Sequence, residues 1–145
     1  AGRVEQIGTP QQVYHQPATT FVAGFIGAPP MNLIKGRVTD DGRAFETDGG
    51  RIALPEGTVA PLRFDAVLGL RPEQVQLGGR QATASCEMVE SLGADHLVHL
   101  KLGTQDLIVR TGDDANPEPG SAIGLGFAAG AIHWFDAGSG QRVLG

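Results

Sequence analysis

Residues 82–88 of the chain read Ala-Thr-Ala-Ser-Cys-Glu-Met, so apolar and polar side chains alternate. A period of two places successive side chains on opposite faces of a β-strand. A turn signal follows at residues 92–95, Leu-Gly-Ala-Asp, and residues 96–102 return with a second alternating run. The stretch is therefore predicted to form a β-hairpin with Cys86 and Met88 on its buried face. A shift of register at residues 89–92 predicts a bulge there.

Short strands of the same kind extend from this hairpin in both directions. Turn signals such as Asp40-Asp41-Gly42 and Asp48-Gly49-Gly50 separate them. The chain is predicted to be all-β, with about ten short strands in one or two small Greek-key barrels of the oligonucleotide/oligosaccharide-binding (OB) type; a β-sandwich is the alternative. The predicted strands cover residues 34–38, 44–47, 51–54, 66–71, 75–77, 81–88, 96–102, 106–110, 123–127 and 132–135.

The first 30 residues follow a different pattern, which predicts a strand and then two short helices. Residues 3–8 alternate as a strand does, and Thr9, Pro10 and Gln12 have the spacing of a capping box that begins a helix. Pro17 ends that helix. The chain is therefore expected to divide at residue 30, with the barrel domain at residues 31–145.

The second helix is predicted at residues 18–26, ending at Gly27 before two prolines. Phe21, Val22, Phe25 and Ile26 fall on one face at helical spacing. We expect this face to be mostly core, with a part of it exposed.

Composition argues against several classes of partner and against a membrane-spanning segment. The net charge is −5 and no run of basic residues occurs, which argues against binding to nucleic acid or to an anionic membrane surface. Cys86 is the single cysteine and is expected to be a buried thiol. No apolar run reaches the roughly 20 residues that span a bilayer. The chain starts at Ala1, without Met, which leads us to expect a fragment of a longer protein.

The sequence contains no recognisable catalytic motif. It has no G-x-x-x-x-G-K-[ST] phosphate loop, no dinucleotide-binding glycine motif before a helix and no G-x-S-x-G turn. His96 and His99 are three apart on a predicted strand and point to opposite faces, which suits no shared metal ion. We therefore expect no catalytic, cofactor or metal site in this chain.

Several stretches resemble the ATP-binding subunits of carbohydrate importers. Residues 1–17 resemble the end of their ATPase domain, and residues 21–33 carry the F-V-A-x-F-I-G run followed by P-M-N. Residues 68–73, Leu-Gly-Leu-Arg-Pro-Glu, and residues 133–142 resemble two further motifs of the maltose and glycerol-3-phosphate importer group. Residues 45–50, 92–97 and 107–110 are most similar to its glycerol-3-phosphate members.

This resemblance implies a pair of barrel-like subdomains, often called TOBE, that regulate and dimerise the ATPase subunit. ATP and magnesium would be bound by an ATPase domain preceding Ala1. The implied partners are a second copy of the subunit, the transmembrane permease subunits and a regulatory protein or small ligand, at the cytoplasmic face of the inner membrane. The alternative function is a small-anion or metabolite sensor, for which the glycine-rich turns offer backbone N–H groups.

Seven residues are candidates for an interface. The turn at Arg71, Pro72 and Glu73 allows two interpretations, a structural bend or part of a subunit or regulator interface. Trp134 and Phe135 are adjacent on a strand, so one of them is expected to point outward. The full candidate set is Leu33, Gly69, Arg71, Pro72, Glu73, Trp134 and Phe135.

Overall fold

The computed structural model describes residues 8–25, 27, 29–61, 65–112 and 116–143. Two short helices come first, and nine strands and two 3₁₀ turns follow. The helices are α1 (Pro10–His15) and α2 (Thr20–Phe25), and the 3₁₀ turns are Pro72–Gln74 and Ala129–Ala131. The strands are β1 (Asn32–Val38), β2 (Ala44–Thr47), β3 (Gly50–Ala53), β4 (Asp65–Leu70), β5 (Gln76–Ser91), β6 (His96–Leu102), β7 (Gln105–Thr111), β8 (Ala122–Gly126) and β9 (His133–Asp136).

The strands form two antiparallel sheets that enclose one core. The first sheet has the order β3-β2-β1-β4-β9 and the second the order β7-β6-β5-β8. Fully buried side chains from both sheets, including Phe45, Leu68 and Leu100, belong to a single cluster. The predicted all-β class with two short N-terminal helices is therefore confirmed.

The start of α1 was predicted correctly. The Gln12 N–H donates to the Thr9 hydroxyl at 3.1 Å, and the Thr9 N–H donates to the Gln12 side chain at 3.0 Å. This capping box satisfies N–H groups that have no partner within the helix. The strand predicted at residues 3–8 lies outside the described residues except for Gly8, and the predicted division at residue 30 stays a prediction.

Helix α2 buries one part of its predicted apolar face and exposes another, as expected. Val22 and Ala23 are buried, whereas Phe21 is 63% exposed. The helix is only six residues long, and its Ala23 packs with Met31 and Phe135. Ile26 and the side chain of Phe25 lie outside the described part of the chain.

The long strand β5 corrects two further expectations. The segments predicted separately at residues 75–77 and 81–88 belong to one strand, whose register against β8 shifts between Leu77 and Ala82. The bulge lies at Glu87, not at residues 89–92, because Cys86 pairs with Leu100 while Met88 pairs with His99. The extra residue reverses the alternation. Cys86 is consequently buried, as predicted, but Met88 is 49% exposed.

Two side-chain amides join the sheets where β1 passes β7. The Asn32 side chain donates to the Ile108 carbonyl and accepts from the Ile108 N–H, both at 2.8 Å. In the reverse direction, Gln105 accepts from the Lys35 N–H at 2.7 Å and donates to the Lys35 carbonyl at 3.0 Å. Each amide therefore satisfies a backbone N–H and C=O of the other sheet, as a neighbouring strand would.

Replacing Asn32 with Leu is expected to lower the free energy of unfolding by about 2–4 kcal/mol, because it leaves a buried N–H and C=O of Ile108 without partners. The matched change Gln105→Leu is expected to cost about 1 kcal/mol, since Gln105 is half-buried and water can replace its bonds. Urea unfolding of both variants measures the difference. Equal losses of unfolding free energy in the two variants would contradict the greater cost assigned to removing the Asn32 bonds.

Candidate functional site at the Arg71 turn

The turn at Arg71 ends the buried strand β4. Pro72 begins a 3₁₀ turn that the Gln74 N–H closes on the Arg71 carbonyl at 3.0 Å. Proline fits here because its fixed φ suits the first position of such a turn and no N–H is required. Arg71 itself is only 2% exposed, and a charged residue is almost never buried to this degree unless it is paired.

Tyr14 of α1 covers the Arg71 guanidinium. The ring centroid lies 3.9 Å from the guanidinium carbon, and the Arg71 Nη2 donates to the Tyr14 carbonyl at 2.6 Å. The Tyr14 hydroxyl donates in turn to the Glu73 carboxylate. The carbonyl of Tyr14 lies in the last turn of α1 and has no partner within the helix, so Arg71 supplies one. The three residues thus fasten α1 to the end of β4.

The titration behaviour of this cluster follows from its burial. Burial raises the pKa of the Tyr14 phenol, and its hydrogen bond to the Glu73 carboxylate and the charge of that carboxylate raise it further. Burial lowers the pKa of the Arg71 guanidinium, against the opposing effect of Tyr14 and Glu73. Because an arginine starts from so high a pKa, Arg71 remains a cation at neutral pH.

Arg142 fastens the connection between the two helices in the same way. Its Nε donates to the Pro17 carbonyl at 2.8 Å, and its Nη2 lies 2.8 Å from the His133 Nδ1. Arginine is only a donor, so Nδ1 of His133 accepts and the neutral ring carries its proton on Nε2. Two arginines therefore hold the N-terminal helices, one at Tyr14 and one at Pro17.

His133 is uncharged in this setting. Burial lowers its pKa to about 4, and the positive charges of Arg142, Arg71 and His15 lower it in the same direction. The acceptor that His133 offers to Arg142 is thus present only while His133 is neutral.

Most of the predicted interface residues lie inside the structure. Gly69 is buried. A side chain at this position would collide with Met31 and Phe135, since a Cβ would lie 2.5 Å from the Met31 sulfur. Pro72 is buried and Leu33 is half-buried. Of the seven candidates, only Glu73 is largely exposed.

The expectation that Trp134 or Phe135 points outward is wrong. The two side chains do face opposite sides of β9, but both sides are covered. Trp134 packs in the core between the sheets, with its ring centroid 5.5 Å from that of Phe45. Phe135 packs in a second small cluster with Ala23, under α2.

The histidines and carboxylates are not gathered into a metal site. Within the described residues, no group of three or more His, Cys, Asp or Glu side chains is arranged to hold a metal ion. His99 pairs with Glu90 at 3.1 Å on the outer face of β6.

No helix in the described part of the chain is long and apolar enough to cross a membrane.

Comparison with family sequence models finds two matches, which overlap at the Arg71 turn. A MalK OB fold domain matches residues 27–75, and a TOBE domain matches residues 68–135. Residues 27–75 are thus similar to the MalK OB fold domain and residues 68–135 to the TOBE domain, and Arg71, Pro72 and Glu73 lie where the two matches overlap.

Curated relatives match nearly all of this OB–TOBE chain. It is 44% identical over 150 residues to the sn-glycerol-3-phosphate import ATP-binding protein UgpC of Burkholderia ambifaria, covering 98% of the chain and 42% of the relative. It is 45% identical over 147 residues to the protein of the same name in Escherichia coli K12, covering 98% of the chain and 41% of the relative. The chain thus spans about two fifths of the length of these relatives.

A solved structure has the same fold. The cytoplasmic molybdate-binding protein ModG, with molybdate bound, superposes with a TM-score of 0.54 over 71% of this chain and 94% of that chain. At 18% identity this similarity supports the OB/TOBE-type fold alone.

Sequence reasoning missed the role of Tyr14. It identified Arg71 and Glu73 as candidates, but Tyr14, the residue that bonds to both, lies more than fifty positions away along the chain. Two features of the sequence could have suggested this contact. Tyr14 is an aromatic residue near the end of a short predicted helix, and Arg71 directly follows an apolar strand that is predicted to be buried.

Replacing Arg71 with Met is expected to destabilise the OB–TOBE fold by about 2–4 kcal/mol, because the Tyr14 carbonyl loses its charged donor and the Tyr14 ring loses the guanidinium that it covers. The milder change Tyr14→Phe keeps the ring on the guanidinium and removes only the bond to Glu73, so about 1 kcal/mol is expected. Chemical denaturation gives both values. A Tyr14→Phe loss as large as that of Arg71→Met would contradict this order.

Acidification from about pH 7 to pH 4 is expected to destabilise the fold by roughly 2 kcal/mol through His133 alone. The unfolded ring binds a proton below its ordinary pKa of 6.5, whereas the folded ring binds one only near pH 4. Stability is therefore fully present above pH 6.5 and is lost as the pH falls toward 4.

The measurement is urea unfolding at several pH values for the chain and for His133→Asn, whose amide oxygen can accept from Arg142 without titrating. The variant should lose this part of the pH dependence. The control His99→Asn, on the outer face of β6, should keep it. A His133→Asn variant with an unchanged pH profile would refute the assignment.

Proposed function

We propose that the chain is the regulatory and dimerisation domain of the ATP-binding subunit of an importer for sn-glycerol-3-phosphate or a sugar. The observation that carries this proposal is the 44% identity to UgpC over 98% of the chain. The matches to a MalK OB fold domain and a TOBE domain support it.

The proposed partners follow from that role. A second copy of the subunit would form the ATPase dimer, and transmembrane permease subunits would hold it at the cytoplasmic face of the inner membrane. ATP and magnesium would be bound in the remainder of the subunit rather than by this chain. A regulatory protein or small ligand would act on the OB–TOBE part.

The geometry of the Arg71 turn suggests how the domain contributes. The turn joins the OB and TOBE parts and grips α1 through Tyr14. A rigid joint at this point would transmit the position of the barrel to residues 9–25, which contain both helices and are called the helical segment below. Because Arg71 and Pro72 are buried, a partner at this turn would meet Glu73 and half-buried Leu33.

The test is a chimera in which this chain replaces the matching two fifths of the Escherichia coli relative. Expressed in cells that lack their own subunit, the chimera is expected to restore uptake of radiolabelled sn-glycerol-3-phosphate. The matched control carries the Arg71→Met change, which loosens the joint and is expected to reduce uptake severalfold at equal protein level.

Two outcomes would contradict the proposal. One is a chimera that hydrolyses ATP and assembles with its permease but imports neither sn-glycerol-3-phosphate nor maltose. The other is a chain that stays monomeric at high concentration in sedimentation equilibrium and leaves the chimera monomeric as well. Calorimetric titration of the isolated chain with phosphate, molybdate and sn-glycerol-3-phosphate tests the alternative of a small-anion or metabolite sensor, and a flat titration would remove that alternative.

A further inference from the structure

The last described residues, 140–143, lie between β9 and the connection from α1 to α2 and form one isolated β-bridge to each, Gln141 with Thr19 and Arg142 with Phe135; we name this segment the tail strand. On one side, the Val143 N–H donates to the Trp134 carbonyl at 3.0 Å. On the other side, the Arg142 N–H donates to the Ala18 carbonyl at 2.8 Å and the Thr20 N–H donates to the Gly140 carbonyl at 2.7 Å. The tail strand therefore has partners on both edges, and it ties the helical segment to the first sheet.

Arg142 locks this arrangement with its side chain. The guanidinium contacts the Pro17 carbonyl on the helical side and His133 on the β9 side, and its carbon lies 5.4 Å from the centre of the Phe135 ring. One side chain thus reinforces both neighbours of the tail strand.

The helical segment has little apolar anchoring of its own. None of the six residues of α1 is fully buried. Among the side chains that the structure describes in this segment, the fully buried ones are Pro17, Val22 and Ala23, and none of the described ones belongs to the large cluster between the sheets. A segment held mainly by polar contacts opens at a lower free energy than the core to which it is attached.

We propose that the tail strand is a strap, locked by Arg142, which holds residues 9–25 docked and whose release lets this segment open while the two sheets stay folded. This inference goes beyond the proposed transport function and does not depend on it. Opening would free the Ala18 carbonyl and the Thr20 N–H, together with the outer edge of the tail strand.

Gly140 gives a second way to release the strap. Its φ is +74°, and a Cβ at this position would lie 2.6 Å from the Thr20 hydroxyl oxygen. A side chain there would push the connection between the helices away from the tail strand without touching Arg142.

The experiment is amide hydrogen exchange on the 145-residue chain and on the variants Arg142→Gln and Gly140→Ala. In both variants, the amides of Thr20 and Ala23 are expected to exchange at least about tenfold faster, since each variant removes contacts that hold the docked state. The amide of Leu68, in the centre of the first sheet, is expected to keep its protection.

Two matched controls separate this effect from general loosening. Arg51→Gln removes an exposed arginine that pairs with Glu46 at 3.8 Å. Gly42→Ala introduces the same backbone strain, at a φ of +70°, where no atom lies within 4 Å of the new Cβ. Neither control should accelerate exchange at Thr20 or Ala23.

Three results would overturn the proposal. Unchanged exchange at Thr20 and Ala23 in both variants would mean that the tail does not hold the helices. Equal acceleration at Leu68 would mean that the helices open only with the whole fold. Failure of both variants to fold would lead to the same conclusion, because the strap would then be part of the global fold.

Discussion

Two reciprocal amide bridges between β1 and β7 hold the sheets in register. Strand β7 is the edge of its sheet, and β1 extends past the end of β2, so each strand carries backbone N–H and C=O groups that a neighbouring strand does not satisfy. Asn32 and Gln105 satisfy these groups from the opposite sheet. Because an unpaired peptide group is most costly where water is excluded, the partly buried Asn32 bridge contributes more than the exposed Gln105 bridge to fixing where the second sheet sits on the first. The core between the sheets depends on that position.

Local pattern was sufficient to predict the strands, the turns and the capping box of α1. It failed where a contact between distant residues decides the outcome. The bulge in β5 lies at Glu87, between Cys86, which pairs with Leu100, and Met88, which pairs with His99. On its other edge Cys86 exchanges backbone hydrogen bonds with Gly120 and Ser121. The period of two therefore predicts a buried Met88, which the bulge turns outward. In α2, local spacing placed Val22 on a buried face but could not show that Ala23 packs on Phe135.

The candidate site shows the same division between local and distant causes. The residues of the Leu-Gly-Leu-Arg-Pro-Glu stretch were identified from sequence, and the bend at Pro72 was correctly given as one interpretation. What could not be predicted is that Tyr14 covers Arg71, since nothing in the spacing of the two residues relates them. The exposed position expected for Trp134 or Phe135 failed for a related reason. A strand with a core on one face and a helix on the other has no outward side.

The buried arginines also change what an interface on this domain requires. Arg71 and Arg142 are cations in an acidic chain, yet both point inward, where each donates to a carbonyl group of the helical segment. Their charges are therefore engaged in holding the chain together, and Glu73 is the charge that this region presents to solvent. A partner that approached the turn would meet a carboxylate already bonded to Tyr14. Pulling that carboxylate away would weaken the bond that fastens α1, so binding at the turn and docking of the helices would compete for the same group.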